Sequence, residues 1–133
     1  MQSEHASTCD SRTLLVDANL EHGRQLSEQL NHAGFRTDLA VSWRAAHAAL
    51  GTNYYHSCIM SVDLDQPVDL QHFDSLRRVA SRIWMIILSD RQPEQPRDLA
   101  HRHGVDALLS APFSMHELTS RLAAFSLRGR LIS

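Results

Sequence analysis

Five short apolar runs alternate with five stretches of helical periodicity along this 133-residue chain, and that alternation restricts the fold more than any other feature. Thr13–Val16, Phe35–Val41, Ser57–Val62, Ile83–Leu88 and Ala107–Leu109 read as strands. Short runs of such uniform apolarity suit strands covered on both faces. Asn19 caps a helix with Leu26, Leu30 and Ala33 on one face, and Gly34 ends it. Ser42 caps a second helix carrying Trp43, Ala46, Ala49 and Leu50, closed at Gly51. A loop through Gln66 and Pro67 leads to a third with Phe73, Leu76 and Val79 at helical spacing. Pro93 and Pro96 precede a short fourth through Leu99 and Ala100, stopped by Gly104. Leu118, Leu122 and Phe125 line the last. Strand–helix alternation predicts an α/β fold, a parallel sheet with helices on both faces. Right-handed crossovers prune the topologies further. The expected architecture is a flavodoxin-like (βα)5 three-layer sandwich with strand order 2-1-3-4-5. Its functional crevice lies outside the carboxyl ends of strands 1, 3 and 5.

One domain accounts for the length, with residues 12–130 folded. Residues 1–11 are polar, lack a signal-peptide apolar region and are expected to form a mobile tail. Residues 131–133 form the C-terminal end, where a linker to an output domain could start. The net charge of -2 is scattered, so no basic stripe announces direct nucleic-acid contact. No run approaches the ~18 apolar residues of a membrane span. Two cysteines, Cys9 and Cys58, make no disulfide framework, and cytoplasm is the expected compartment.

The segment Ser110-Ala111-Pro112-Phe113-Ser114-Met115-His116-Glu117-Leu118 reads as a strand end, a proline turn and a capped helix. Ser114 and Glu117 form an S-x-x-E capping box, with Phe113 and Leu118 at the staple positions. This segment resembles the close of a response-regulator receiver domain of the CheY-like family, where a Lys-Pro-Phe turn precedes such a helix. The lysine position is Ala111, and every basic residue of the chain is Arg. The resemblance extends from about Thr13 to Arg130. Thr13-Leu-Leu-Val-Asp17-Ala18-Asn19 resembles the first strand, which ends in two acids that hold Mg²⁺; here the second is Ala18. His56-Ser-Cys-Ile-Met-Ser61-Val-Asp63 resembles the third strand, with Ser61 at the phospho-acceptor position. Ile86-Ile-Leu-Ser89-Asp90 keeps the switch hydroxyl, and Leu108 stands at the switch aromatic. The resemblance also implies a cis peptide at Ala111–Pro112.

These departures bear on one reaction. Phosphoryl transfer needs a nucleophile, a cation for the equatorial oxygens, and positioning. A Ser hydroxyl requires an adjacent base where an Asp carboxylate does not. Mg²⁺ takes near-octahedral oxygen ligands, including one or two carboxylates. The acidic pocket of Asp17, Ala18 and Asp63 is a poor cage, so Mg²⁺ binding is expected to be weak or absent, with no other cofactor. The expected function is a degenerate receiver in two-component signalling that acts through protein contacts. Its partner is another protein or a fused output domain, and no enzymatic motif is present. The alternatives are phospho-acceptance at Asp63 after a two-residue slide of strand 3, and a flavodoxin-like small-molecule binder.

Simpler roles compete at each position. Asp17 at a strand end can cap the next helix or satisfy backbone amides. Ser61 can simply fill a vacated site, and Asp65 can be a solvated loop charge. Nine histidines are present, but His47, His56, His72, His101, His103 and His116 match no four-ligand zinc pattern. Surface positions and partners of helix C-termini suit them better. The last helix resembles that of receivers from winged-helix transcription factors of the OmpR/PhoB type. The resemblance implies a homodimer face with Glu117, Arg121 and Arg128, and with Arg97, Asp98, Arg102 and Asp106 as partners.

Overall fold

The computed structural model describes residues 12–132, the side chains of 128–132 excepted. The expected tail of residues 1–11, with Cys9, lies outside the described residues. The element order is β1 (Thr13–Val16), α1 (Leu20–His32), β2 (Thr37–Ala40), α2 (Trp43–Thr52) and β3 (Ser57–Val62), then α3 (Pro67–Val79), β4 (Trp84–Ser89), α4 (Pro96–His103), β5 (Ala107–Ser110) and α5 (Met115–Ile132). The sheet is parallel, in the order β2-β1-β3-β4-β5, as the alternation predicts.

Strand parity sorts the core into two layers. Leu14, Val16, Cys58, Met60, Met85 and Ile87 pack against Ala46 of α2 and Phe73 and Leu76 of α3. Leu15, Ile59, Ile86, Leu88, Ala107 and Leu109 face Leu26 and Leu30 of α1 and Leu118, Leu122 and Phe125 of α5. Successive strand side chains point to opposite faces, so uninterrupted apolar strands feed both layers.

Several boundaries differ from the expectations. β2 starts at Thr37, because Asn31 accepts the Thr37 N–H at 2.9 Å and holds the entry as a turn. Phe35 still packs on the core, while Val41 is exposed beyond the strand. β4 runs one residue later than expected, from Trp84 to Ser89, since the Ile83 carbonyl is taken by Arg77 at 2.8 Å. α2 continues through Gly51 to Thr52, and Asn53 is its C-cap. Gly51 lacks a positive φ, so it does not stop the helix as Gly104 does at φ 70°. Ala33 and Val79, placed on the core stripes from spacing, are exposed at the helix ends. The α5 entry follows expectation: Glu117 N–H donates to Ser114 Oγ and Ser114 N–H to Glu117 Oε1, both at 3.0 Å. The Ala111–Pro112 peptide is cis.

Candidate functional site

The carboxyl ends of β1, β3, β4 and β5 open on a crevice of about 470 Å³. The sheet register determines what meets there. Val16 of β1 lies beside Met60 of β3, so the next residues, Asp17 and Ser61, stand side by side. Ser61 Oγ donates to Asp17 Oδ2 at 3.1 Å. Asp17 is only 4% exposed. Its Oδ1 accepts the Asn19 N–H at 2.9 Å, the backbone-satisfying role weighed for it above. Its Oδ2 also pairs with His22 Nδ1, a partner absent from the expectations above. Because a carboxylate only accepts, the imidazole Nδ1 carries the hydrogen in this pair.

Local structure places His22 there. Asn19 caps α1, its side chain accepting the His22 N–H at 3.1 Å, which fixes His22 in the first turn. Gly23 then lets the helix approach closely. A Cβ at position 23 would stand 3.2 Å from Asp17 Cβ and 2.8 Å from Leu39 Cδ1. The sequence carried a signal for His22. Side chains in a helix tilt back towards its N-terminus, so one in the first turn reaches towards the strand end that precedes it. Asp17 is five residues back.

Ala18 and Ala111 line the crevice with no polar side-chain atom. Ser89 lines it too, but its hydroxyl donates to the Arg91 carbonyl at 2.5 Å and lies 3.3 Å from Ser110 Oγ. Leu108 is half-buried against the α2–α3 core layer. Asp63 stands past the end of β3, exposed on the rim. Its N–H donates to Asp69 Oδ2 and its Oδ1 accepts the Asp65 N–H, both at 2.9 Å. Asp65 is the surface charge expected, paired with Arg91 at 2.6 Å. Oxygens of Asp63, Asp65 and Asp90 lie within 4.8 Å of one another, and this is the one potential metal-holding group among the described residues. It contains no histidine. His47 meets Ser75, His72 stacks on Trp43, and His103 pairs with Asp74.

The residues present do not fit the Mg²⁺ cage that the resemblance implies. One carboxylate, Asp17, remains in the strand-end site, and three donors of its own chain already occupy it.

On the α4–β5–α5 side, Arg97, Glu117 and Arg121 line a shared groove with Leu108. Glu117 also closes the capping box. Asp98 pairs with Arg102 on α4, and Asp106 accepts from Met85 N and Arg77. Those acids therefore hold partners within the domain. The Arg128 side chain lies outside the described residues.

A receiver domain protein from Methanospirillum hungatei superposes with a TM-score of 0.80 over 92% of this chain and 98% of its own, at 12% identity. The chain folds as a CheY-like receiver domain. HP1043, an orphan response regulator of H. pylori, matches this receiver fold with a TM-score of 0.73 at 22% identity, covering 89% of this chain and 98% of that one. In sequence, the receiver is 27% identical over 119 residues to the transcriptional regulatory protein RprY of Bacteroides fragilis. That match covers 90% of this chain and 50% of RprY, so the chain spans about half the length of this relative. No family model matches the chain. Among the described residues, no helix is long and apolar enough to cross a membrane.

Proposed function

We propose that this receiver domain is degenerate: it works in two-component signalling through protein contacts, without forming an acyl phosphate. The observation that carries this reading is the occupancy of Asp17. Its buried carboxylate meets Asn19 N–H, Ser61 Oγ and His22 Nδ1, all from its own chain. An attacking carboxylate at position 61 is missing, and no ammonium approaches from Ala111. Electrostatic stabilisation and positioning supply nearly all of the catalysis in phosphoryl transfer, so the losses compound. The reading includes a cytoplasmic location and a protein partner or a fused output domain. It also includes two-fold self-association through α4, β5 and α5, and no direct contact of this domain with nucleic acid.

The test is incubation with acetyl phosphate and Mg²⁺, followed by intact mass measurement, beside ¹⁹F NMR of beryllofluoride uptake. The expected result is an unmodified protein and no bound fluoride signal. Stoichiometric phosphorylation at Asp63 or Asp65 would overturn the reading.

The apolar walls of the crevice, Ala18, Val62, Leu88, Ala111 and Phe113, favour a second reading, as a small-molecule site. About 470 Å³ falls within the range of ligand pockets. Native mass spectrometry of freshly purified protein separates the two: a retained small molecule, lost on mutating crevice residues, would support a binder.

A further inference from the structure

We infer that His22 is a resident donor that takes the place of a divalent cation at Asp17 and closes the crevice to metal. This inference rests on the degenerate-receiver reading and names how that site is held. Four aspartates line the crevice, Asp17, Asp63, Asp69 and Asp90, and His22 is the only basic side chain among the lining residues. Asp63, Asp69 and Asp90 accept backbone N–H groups of the β3–α3 loop. Asp17 is the buried one, and a buried carboxylate needs its lone pairs met. In a receiver with a metal, the ion meets that need. Here Ala18 has removed a second acid, so a bare ion would gain little, while the imidazole reaches the Asp17 oxygen directly.

The surroundings hold the imidazole in place. The Asn19 cap sets the first turn of α1, and Gly23 brings that turn against Asp17. Ser61 donates to the oxygen that His22 contacts, so β3 joins the same knot. A metal ion entering the site would have to displace both the imidazole and the Ser61 hydroxyl. The His22 side chain is 51% exposed, which makes it the replaceable member of the set, since its removal leaves the core layers untouched.

Metal binding in four proteins tests this: wild type, His22→Ala, Ala18→Asp, and the double variant. The probes are MgCl2 followed by calorimetry and MnCl2 followed by electron paramagnetic resonance. All four proteins also carry Asp65→Asn, which takes the Asp63–Asp65–Asp90 group out of the titration. On that background the chain with His22 and Ala18 intact should show no saturable binding of either ion. The double variant should bind Mn²⁺ roughly 10-fold or more tightly than Ala18→Asp alone, the worth of one charge-assisted hydrogen bond. His22→Leu in the same background, which also lacks a donor, serves as the second variant if the alanine form does not fold, with the same direction of change.

Equal Mn²⁺ affinity with and without His22 would overturn the inference. So would a Zn²⁺ or Ni²⁺ site in wild type that disappears in His22→Ala, because His22 would then be a ligand itself. Beryllofluoride uptake by wild type sinks the degenerate reading. A wild type that stays inert, with metal affinity indifferent to His22, sinks this inference alone.

Discussion

Two carboxylates at opposite ends of the sheet are tied down by their own chain, and the difference between them separates stability from function. At the amino end, Asp38 of β2 accepts from Arg12 at 2.9 Å and from the Tyr55 hydroxyl at 2.7 Å. Arg12 also lies over the Tyr55 ring, 4.9 Å from its centroid. These contacts join the residues entering β1 and β3 to β2. At the carboxyl end, Asp17 accepts from Asn19, Ser61 and His22. One set ties strand entries together around the buried Tyr55 ring. The other faces a crevice of about 470 Å³, where an incoming ion could have supplied the same contacts. Saturating a carboxylate in a packed network adds stability, whereas on the degenerate-receiver reading saturating one in a cleft takes a binding site out of use.

The largest expected effect comes from breaking the carboxyl end. Ser61→Asp alone should leave beryllofluoride uptake at the wild-type level, because the metal and ammonium positions stay empty. Combining Ala18→Asp, Ser61→Asp and Ala111→Lys with His22→Ala should raise Mg²⁺-dependent uptake by about 100-fold or more, as several charge-assisted contacts are regained. The readout is a ¹⁹F NMR titration. If the single substitution already took up beryllofluoride, the losses at Ala18 and Ala111 would not be cooperating.

Breaking the amino end should produce a smaller change, in stability. Tyr55→Phe removes one hydrogen bond to Asp38 and should cost about 1 kcal/mol in urea unfolding at neutral pH. The pH dependence has two edges. Burial pushes the Asp38 carboxyl up, but hydrogen bonds from Tyr55 and Arg12 outweigh it and hold the group below its ordinary 3.8. A lowered carboxylate contributes stability above the unfolded value and loses it as pH falls through the folded one. Burial, then the bond to Asp38, pushes the Tyr55 hydroxyl from 10.0 up to about 12. That contribution is complete below pH 10 and disappears as pH rises towards 12. The stability gap between wild type and Tyr55→Phe should therefore be widest near neutrality and narrow on both sides. A gap that stayed constant from acid to alkali would mean that the hydroxyl does not interact with Asp38.

Much of the frame was legible because it rests on short-range signals. The apolar strand runs, the Ser114–Glu117 capping box and the Gly104 helix stop are written in adjacent residues, and all appear in the structure. The strand order followed from alternation and handedness. The neighbourhood of Ser61 and Asp17 was accessible only through resemblance, since 44 residues separate the pair and the β1–β3 register brings them together. His22 was missed because attention to histidines fell on ligand spacing, while its role depends on its place in the first turn after the Asn19 cap and on the close approach that Gly23 permits. The Arg12–Asp38–Tyr55 network was missed because three strand entries carry its members and no local pattern links them.

The smallest expected effect lies on the α4–β5–α5 face, away from both carboxylates. Arg121 is exposed on α5 and lines a groove with Arg97, Glu117 and Leu108. Charged pairs across a surface contribute about 0–1 kcal/mol each. A two-fold interface uses the same patch on both subunits, so one substitution acts twice. The half-buried Leu108 at the same groove supplies apolar contact that charges alone lack. Arg121→Glu should weaken self-association by several-fold while leaving the thermal unfolding midpoint nearly unchanged, because the residue lies outside both core layers. Sedimentation velocity over a wide concentration range measures the first quantity, and circular dichroism melts the second. Mutating the carboxyl-end residue His22 should not alter the dimer, since no phosphoryl signal from the crevice governs assembly in a degenerate receiver. A wild type that remains monomeric at high concentration, or a dimer indifferent to Arg121, would remove this face from the proposal. A dimer that responded to His22→Ala would show that the crevice still communicates with α5.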